Sequence, residues 1–430
     1  MKKFAGDMLD FIYESPTPYN AVSNTINILK QNGFKELKSE NRWEIEKGGK
    51  YYVTKNSSAI AAFKVNSDEI GKHGFRIIGS HTDSPGFRIK PNTEMISEGR
   101  YLKLNIEPYG GMILSTWLDR PLGMAGRVFT RTENPFKPEE VIVNINKPVC
   151  IIPNLAIHMN RAVNDGYKYN RQNDMSPLVA TIEEKFEKDG YILSLIAENT
   201  GLKKEDIIDF DMYLYEYEKG CFTGADEEFI STGRLDNLSM FYASMRALTD
   251  SAGNSGVDMF IGFDNEEVGS STKQGADSNM LLNILERICI SLGKSREELF
   301  RALAESFIIS SDLAHAVHPN ISSMADPTNR PLMGKGPVIK IHAGQAYTSD
   351  GYSISVYKEI CRKAGVEYQE FTNKSDQRGG STIGPISSTH VDIPSVDMGA
   401  PILSMHSIRE LGCVSDFYDT YKTFGEFYNL

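Results

Sequence analysis

Five residues of metal-binding type recur at the kind of position where chemistry is built: His81, Asp236, Glu267, Asp312 and His406. His81, Glu267 and Asp312 each follow a short apolar run that reads as a strand. His406 lies a short loop beyond another such run, and Asp236 opens a helix. Sites in open α/β sheets gather at the carboxyl ends of strands, so all five are expected on one rim of one sheet. Two imidazoles with three carboxylates suit zinc, or cobalt or manganese, better than magnesium, which prefers oxygen alone. If Asp236 bridges, each of two ions has one histidine, one further carboxylate and a share of Asp236, with a position open for water. Glu266 adjoins Glu267, and adjacent residues past a strand point in different directions. Glu266 is therefore free to act as general base toward a metal-activated water. Asp83, two residues after His81, is placed to hold the far ring nitrogen of that histidine.

Each residue taken singly has a plainer explanation. Asp236-Asn237 reads as a helix cap, Glu266-Glu267 as a solvated pair, and His406 as a satisfied polar side chain. Two charges directly after a buried strand are seldom mere surface, and this keeps a metal hydrolase open beside the plainer readings.

The elements that must position these residues fall into three stretches. Residues 1–87 carry two helices, the first with Phe4, Met8, Leu9 and Ile12 on one face and the second with Ala21, Val22, Ile26 and Leu29 inward. Strands follow at Tyr51–Val53, Ala59–Val65 and Phe75–Gly79. Residues 88–230 change texture: Tyr101–Ile106, Gly126–Thr130, Val141–Ile145 and the alternating Asp209–Tyr217 are short β-type segments punctuated by Gly, Pro and Asn. This reads as an inserted, β-rich domain. Residues 231–430 alternate helix and strand, which predicts an α/β fold with a mainly parallel sheet covered by helices on both faces.

The chain of 430 residues has a formal net charge of −11, which argues against nucleic acid and anionic membrane as partners. Its five cysteines are scattered, with no Cys-x-x-Cys pair, which suits a reducing, cytoplasmic compartment. No signal peptide can be built from the first residues, and no apolar run approaches the roughly 20 residues that cross a bilayer.

Several of these stretches together resemble the aspartyl-aminopeptidase family of dinuclear zinc aminopeptidases, in its shorter bacterial type. They include Ser15-Pro16-Thr17-Pro18-Tyr19, Gly79-Ser80-His81-Thr82-Asp83-Ser84-Pro85, Tyr109-Gly110-Gly111, Ile152-Pro153-Asn154-Leu155-Ala156-Ile157-His158, Arg234-Leu235-Asp236-Asn237-Leu238, Glu266-Glu267-Val268-Gly269-Ser270, Ser311-Asp312-Leu313-Ala314-His315, Gly380-Ser381-Thr382-Ile383-Gly384-Pro385 and Met405-His406-Ser407-Ile408-Arg409-Glu410. The resemblance implies a zinc exopeptidase-like α/β domain interrupted by a β-rich dimerisation domain, and dimers assembling into a dodecamer. It implies two Zn2+ ions, one on His81, Asp236 and Asp312, the other on Asp236, Glu267 and His406, with Glu266 as base. It places His158 across a subunit boundary as an oxyanion stabiliser, with a zinc ligand as the alternative role. It implies a peptide substrate whose first side chain meets Lys340 and Tyr347, which favours an acidic residue. Around them Ala343, Gly344 and Ala346 stand where larger polar residues often occur, so a broad or neutral-residue aminopeptidase stays open. A dinuclear amino-acid deacylase, a phosphoesterase and a non-catalytic relative are the rivals of other classes.

Overall fold

The computed structural model describes residues 1–182 and 190–430; the stretch 183–189, within the expected insertion, lies outside the described residues. The first helix, Lys2–Glu14, buries Ala5, Met8, Leu9 and Ile12 along one face. The second, Pro18–Gln31, opens with Thr17 capping the Asn20 amide and a proline in the first turn, where its missing N–H costs nothing.

A nine-stranded sheet forms the centre, in the order Lys35–Glu36, Lys50–Lys55, Ala59–Val65, Val257–Phe263, Phe75–His81, Phe307–Ser311, Ser395–Gly399, Val338–Lys340 and Gln369–Phe371. Its four middle strands run parallel. The sheet as a whole is mixed, more so than the alternation of elements predicts. Lys50–Lys55 and Ala59–Val65 form an antiparallel hairpin, because Asn56 and Ser57 both take positive φ and turn the chain tightly. Val338–Lys340 also runs antiparallel to Ser395–Gly399.

Strand alternation separates two apolar cores. Ile78 and Phe260 face the layer built from the helices Lys2–Glu14, Leu235–Asp250, Gly351–Ala364 and Val414–Asn429. Ile77, Met259 and Ile261 face the opposite layer, packed by Met280–Ser291 and Arg296–Ala304. Both faces of the middle strands are therefore dry, and polar side chains collect at the strand ends.

Residues 86–216 carry a separate six-stranded antiparallel sheet, ordered Glu139–Asn144, Leu122–Thr130, Ile207–Glu216, Gly86–Ser97, Tyr101–Tyr109 and Leu178–Thr181. It has its own core around Phe87, Leu104, Trp117, Met124 and Met212. A helix, Tyr191–Thr200, packs on it through Ile192 and Ile196, between two glycines in the left-handed region. Close pairing with Ile207–Glu216 requires glycine at 126, where a Cβ would collide with the Asp211 carbonyl oxygen.

A third sheet of five short strands runs in the order Cys221–Thr223, Phe229–Thr232, Glu410–Cys413, Pro401–Leu403 and Ala314–His315. No helix among the described residues is long and apolar enough to cross a membrane.

Candidate metal centre

His81 ends the strand Phe75–His81 level with Phe263 of its neighbour, and Asp312 directly follows Phe307–Ser311. Glu266 and Glu267 lie in a short turn, Glu266–Val268, entered through Asn265 in the left-handed region. His406 sits between the antiparallel strands Pro401–Leu403 and Glu410–Cys413, itself at φ 65°. Asp236 stands at the first turn of Leu235–Asp250 with non-helical angles, so its carboxylate leaves the helix axis.

All five meet. The His81 Nε2 lies 3.4 Å from Asp236 Oδ1 and 3.7 Å from Asp312 Oδ1. The His406 Nε2 lies 3.4 Å from Asp236 Oδ2 and 3.4 Å from Glu267 Oε2. The two imidazoles thus address opposite oxygens of one buried carboxylate. Ligand atoms of His81, Asp236 and Asp312 fall within 4.8 Å of one another, as do those of Asp236, Glu267 and His406. A third grouping, His81 with Glu266 and Glu267, overlaps them.

Asp236 Oδ1 and Glu267 Oε1 are buried with no hydrogen-bond partner among the described residues. Orphaned buried carboxylate oxygens are costly, and a bound cation would satisfy both. The electrostatics agree. Burial opposes charge on His81, yet Asp236, Asp312 and Asp83 hold it well above an ordinary histidine. His406 reaches about 10 against the same penalty, chiefly through Asp236. Burial and Asp236 push Glu267 well up. Burial likewise raises Glu266 to about 8, with His81 pulling down and Asp312 and Asp83 pushing up. Asp236 is held low by His406 and His81 against its burial, whereas the two glutamates are short of positive charge, and a divalent metal on nitrogen and oxygen donors fits the set.

An outer layer of contacts holds these groups in place. Asp83, fully buried, lies 3.3 Å from His81 Nδ1 through Oδ1. Its two oxygens also accept from the Glu266 and Glu267 amides, each at 3.1 Å. Glu410 accepts from the His406 amide at 2.8 Å and the Asp236 amide at 3.0 Å. Asp397 accepts from Ser310 Oγ, Thr382 Oγ1 and the Thr348 amide, which ties one strand to two loops. Glu410 and Asp397 escape a reading of the sequence. Either looks like any loop or strand acid, and only its burial and the amides or hydroxyls that donate to it give it a role.

A cleft of about 300 Å³ opens on the cluster, lined by Glu266, Asp312, His406, Lys340, Tyr347 and Phe371. Lys340 is buried, and its ammonium donates to Asp312 Oδ2 at 3.2 Å and to the Leu313 carbonyl at 3.1 Å. It lies 5.3 Å from the centre of the Tyr347 ring. A surface lysine is thereby ruled out, and the charge expected to await a substrate already has partners. His158 is not brought to the cluster within one chain. It is exposed in a turn flanked by exposed Leu155, Ile157 and Met159.

Comparison with known proteins gives concordant matches. Residues 11–428 match the family described as aminopeptidase I zinc metalloprotease (M18). A "Probable M18 family aminopeptidase 2" of Clostridium novyi (strain NT) is 60% identical over 428 residues, covering 100% of this chain and 99% of that protein. "Aspartyl aminopeptidase 4" of Saccharomyces cerevisiae is 39% identical, covering 98% and 94%. Among solved structures, the chain in the cryo-EM structure of the Ape4 and Nbr1 complex superposes with TM-score 0.95 at 38% identity, covering 99% of this chain and 85% of that one. The S. cerevisiae mApe1 dodecamer superposes with TM-score 0.84 at 28% identity, covering 98% and 95%.

Proposed function

The chain belongs to the aminopeptidase I zinc metalloprotease (M18) family and is a zinc aminopeptidase, and on that premise we propose that it binds two Zn2+ ions and cleaves the N-terminal residue from peptides with Glu266 as general base. The observation that carries this reading is the shared Asp236, approached through opposite oxygens by His81 and His406 at 3.4 Å each. One ion falls to His81, Asp236 and Asp312, the other to Asp236, Glu267 and His406. Zinc, when bound, supplies Lewis acidity and lowers the pKa of water toward neutrality. Glu266 takes no part in either ligand set and faces the cleft. Its carboxylate accepts the proton of the attacking water and returns it to the leaving amine. Asp83 fixes His81 and the backbone of Glu266, and Lys340 steadies Asp312.

An acidic first residue is favoured by Lys340 and Tyr347 in the cleft wall and by the kinship with a yeast protein named aspartyl aminopeptidase. Because Lys340 also holds Asp312, the test is the ratio of kcat/KM across Glu-, Asp-, Leu- and Lys-anilides, not the absolute rate. Wild type should favour Glu and Asp, and Lys340→Ala should lose that preference as well as rate. Preference for Leu in both enzymes would refute the acidic pocket and indicate a neutral or broad one.

The 88–230 insertion is read as a dimerisation unit, in dimers that build a dodecamer as the yeast relative does. Exposed apolar residues around His158 support that reading, with His158 stabilising the oxyanion of a neighbouring subunit's site. Five free cysteines support a cytoplasmic setting. Chelation should abolish turnover, and Zn2+, Co2+ or Mn2+ should restore it. Full activity in verified metal-free protein would end the zinc mechanism.

A further inference from the structure

A histidine that binds metal through one ring nitrogen needs the other one fixed, and a single short segment does this for both His81 and His406. Tyr109 ends the strand Tyr101–Tyr109 of the six-stranded sheet, and the chain leaves it through Gly110 and Gly111. The Tyr109 hydroxyl donates to Asp83 Oδ2 at 2.8 Å and accepts from Asn265 Nδ2 at 2.8 Å. Asp83 in turn meets His81 Nδ1 twice, through its backbone carbonyl at 3.1 Å and its Oδ1 at 3.3 Å, and its carboxylate holds the Glu266 and Glu267 amides. Two residues further on, the Gly111 carbonyl lies 2.7 Å from His406 Nδ1. A proton on Nδ1 satisfies that carbonyl and leaves the Nε2 lone pair toward Asp236 and Glu267. The His406 loop is clasped twice more, by the Ile113 amide on the His406 carbonyl at 3.0 Å and by the Ile408 amide on Thr116 Oγ1 at 3.0 Å. Gly110 makes the approach fit: it sits at φ +72°, and a Cβ there would stand 3.2 Å from Glu267 Cβ.

We propose that the Tyr109–Gly111 turn is the positioning element of both metal sites, setting His406 directly and His81 through Asp83. The six-stranded sheet then completes the catalytic centre of its own chain, beyond any part it plays in assembly. The inference rests on the ligand assignment proposed above.

Tyr109→Phe removes one hydroxyl and tests it. Three quantities are measured: zinc affinity by competition with a chelating dye, kcat and KM on an aminoacyl anilide, and the melting temperature of the metal-free protein. Outer partners of metal ligands are typically worth about 10–100-fold, so zinc affinity should fall by that factor. The kcat should fall with little change in KM, while the metal-free melting temperature stays near wild type. Because the hydroxyl works through Asp83, adding Tyr109→Phe to Asp83→Asn should cost less than the two single losses combined. Wild-type zinc affinity in Tyr109→Phe overturns the proposal, as does a lowered metal-free melting temperature with zinc affinity unchanged, or full additivity with Asp83→Asn. His81→Ala and His406→Ala serve as controls. If they keep zinc, the ligand assignment falls and the proposal with it; if they lose zinc while Tyr109→Phe keeps it, the proposal alone falls.

Discussion

Glu266 and Glu267 are neighbours assigned opposite duties, and the difference is measurable. Glu266→Gln should keep its zinc and lose about 10²–10⁴-fold in kcat, the usual worth of a general base. Glu267→Gln should weaken one metal site, seen as a fractional loss of zinc by elemental analysis. Zinc lost from the first variant with turnover per bound zinc intact would reverse the two assignments. The two glutamates and the other ligand-type residues are legible in the sequence because each stands at a strand end, beside one or at a helix start. Of their supports, Asp83 is legible two residues after His81, but Glu410 and Tyr109 are not. Glu410 meets the Asp236 amide across 174 positions of chain, and Tyr109 meets Asp83 across 26. Neither residue type nor spacing announces such a partner. The family resemblance implies a pocket role for Lys340, which lines the cleft, but its bond to Asp312 depends on how two strand ends come together.

Strand Val257–Phe263 shows how differently one element can treat acids at its two ends. Its last residue precedes the turn that carries Glu266 and Glu267, while Asp258 near its start is fully buried. Burial pushes Asp258 up to about 7, against the hydrogen bond from Asn66 and the charges of Arg76 and Lys64. The unfolded chain releases that proton near the ordinary aspartate range. The contribution of Asp258 to stability should therefore fall as pH rises from about 4 to about 7. Asp258→Asn should flatten this fall. The difference in melting temperature between variant and wild type should move in the variant's favour from pH 5 to pH 8. An unchanged difference would mean that Asp258 is ionised throughout. Most strands are visible in the sequence as apolar runs bounded by turn residues. The mixed sheet is less so, because the direction of Val338–Lys340 is set by its neighbours and not by its own three residues. The helix Tyr191–Thr200 is hidden because it is short and sits among β-type segments.

For the whole molecule, the exposed His158 gives a test of assembly. Glu266→Gln and His158→Ala should each be nearly inactive, yet co-assembled subunits should regain activity, since a Glu266→Gln chain can lend His158 to the intact base of its neighbour. Random pairing in dimers predicts roughly a quarter of wild-type turnover. No recovery in verified mixed assemblies would show that His158 does not act between subunits. The cluster itself has a temporal side. His81 lies early in the chain, Asp236, Glu267 and Asp312 follow, and His406 comes late, between two strands that must pair before it can face Asp236. During synthesis a ribosome-bound chain therefore displays an incomplete set of donors until nearly all of the protein has emerged. Both proposed ligand sets are therefore complete only in a chain that includes the segment 401–413, and a product truncated before it lacks the His406 donor of the second set.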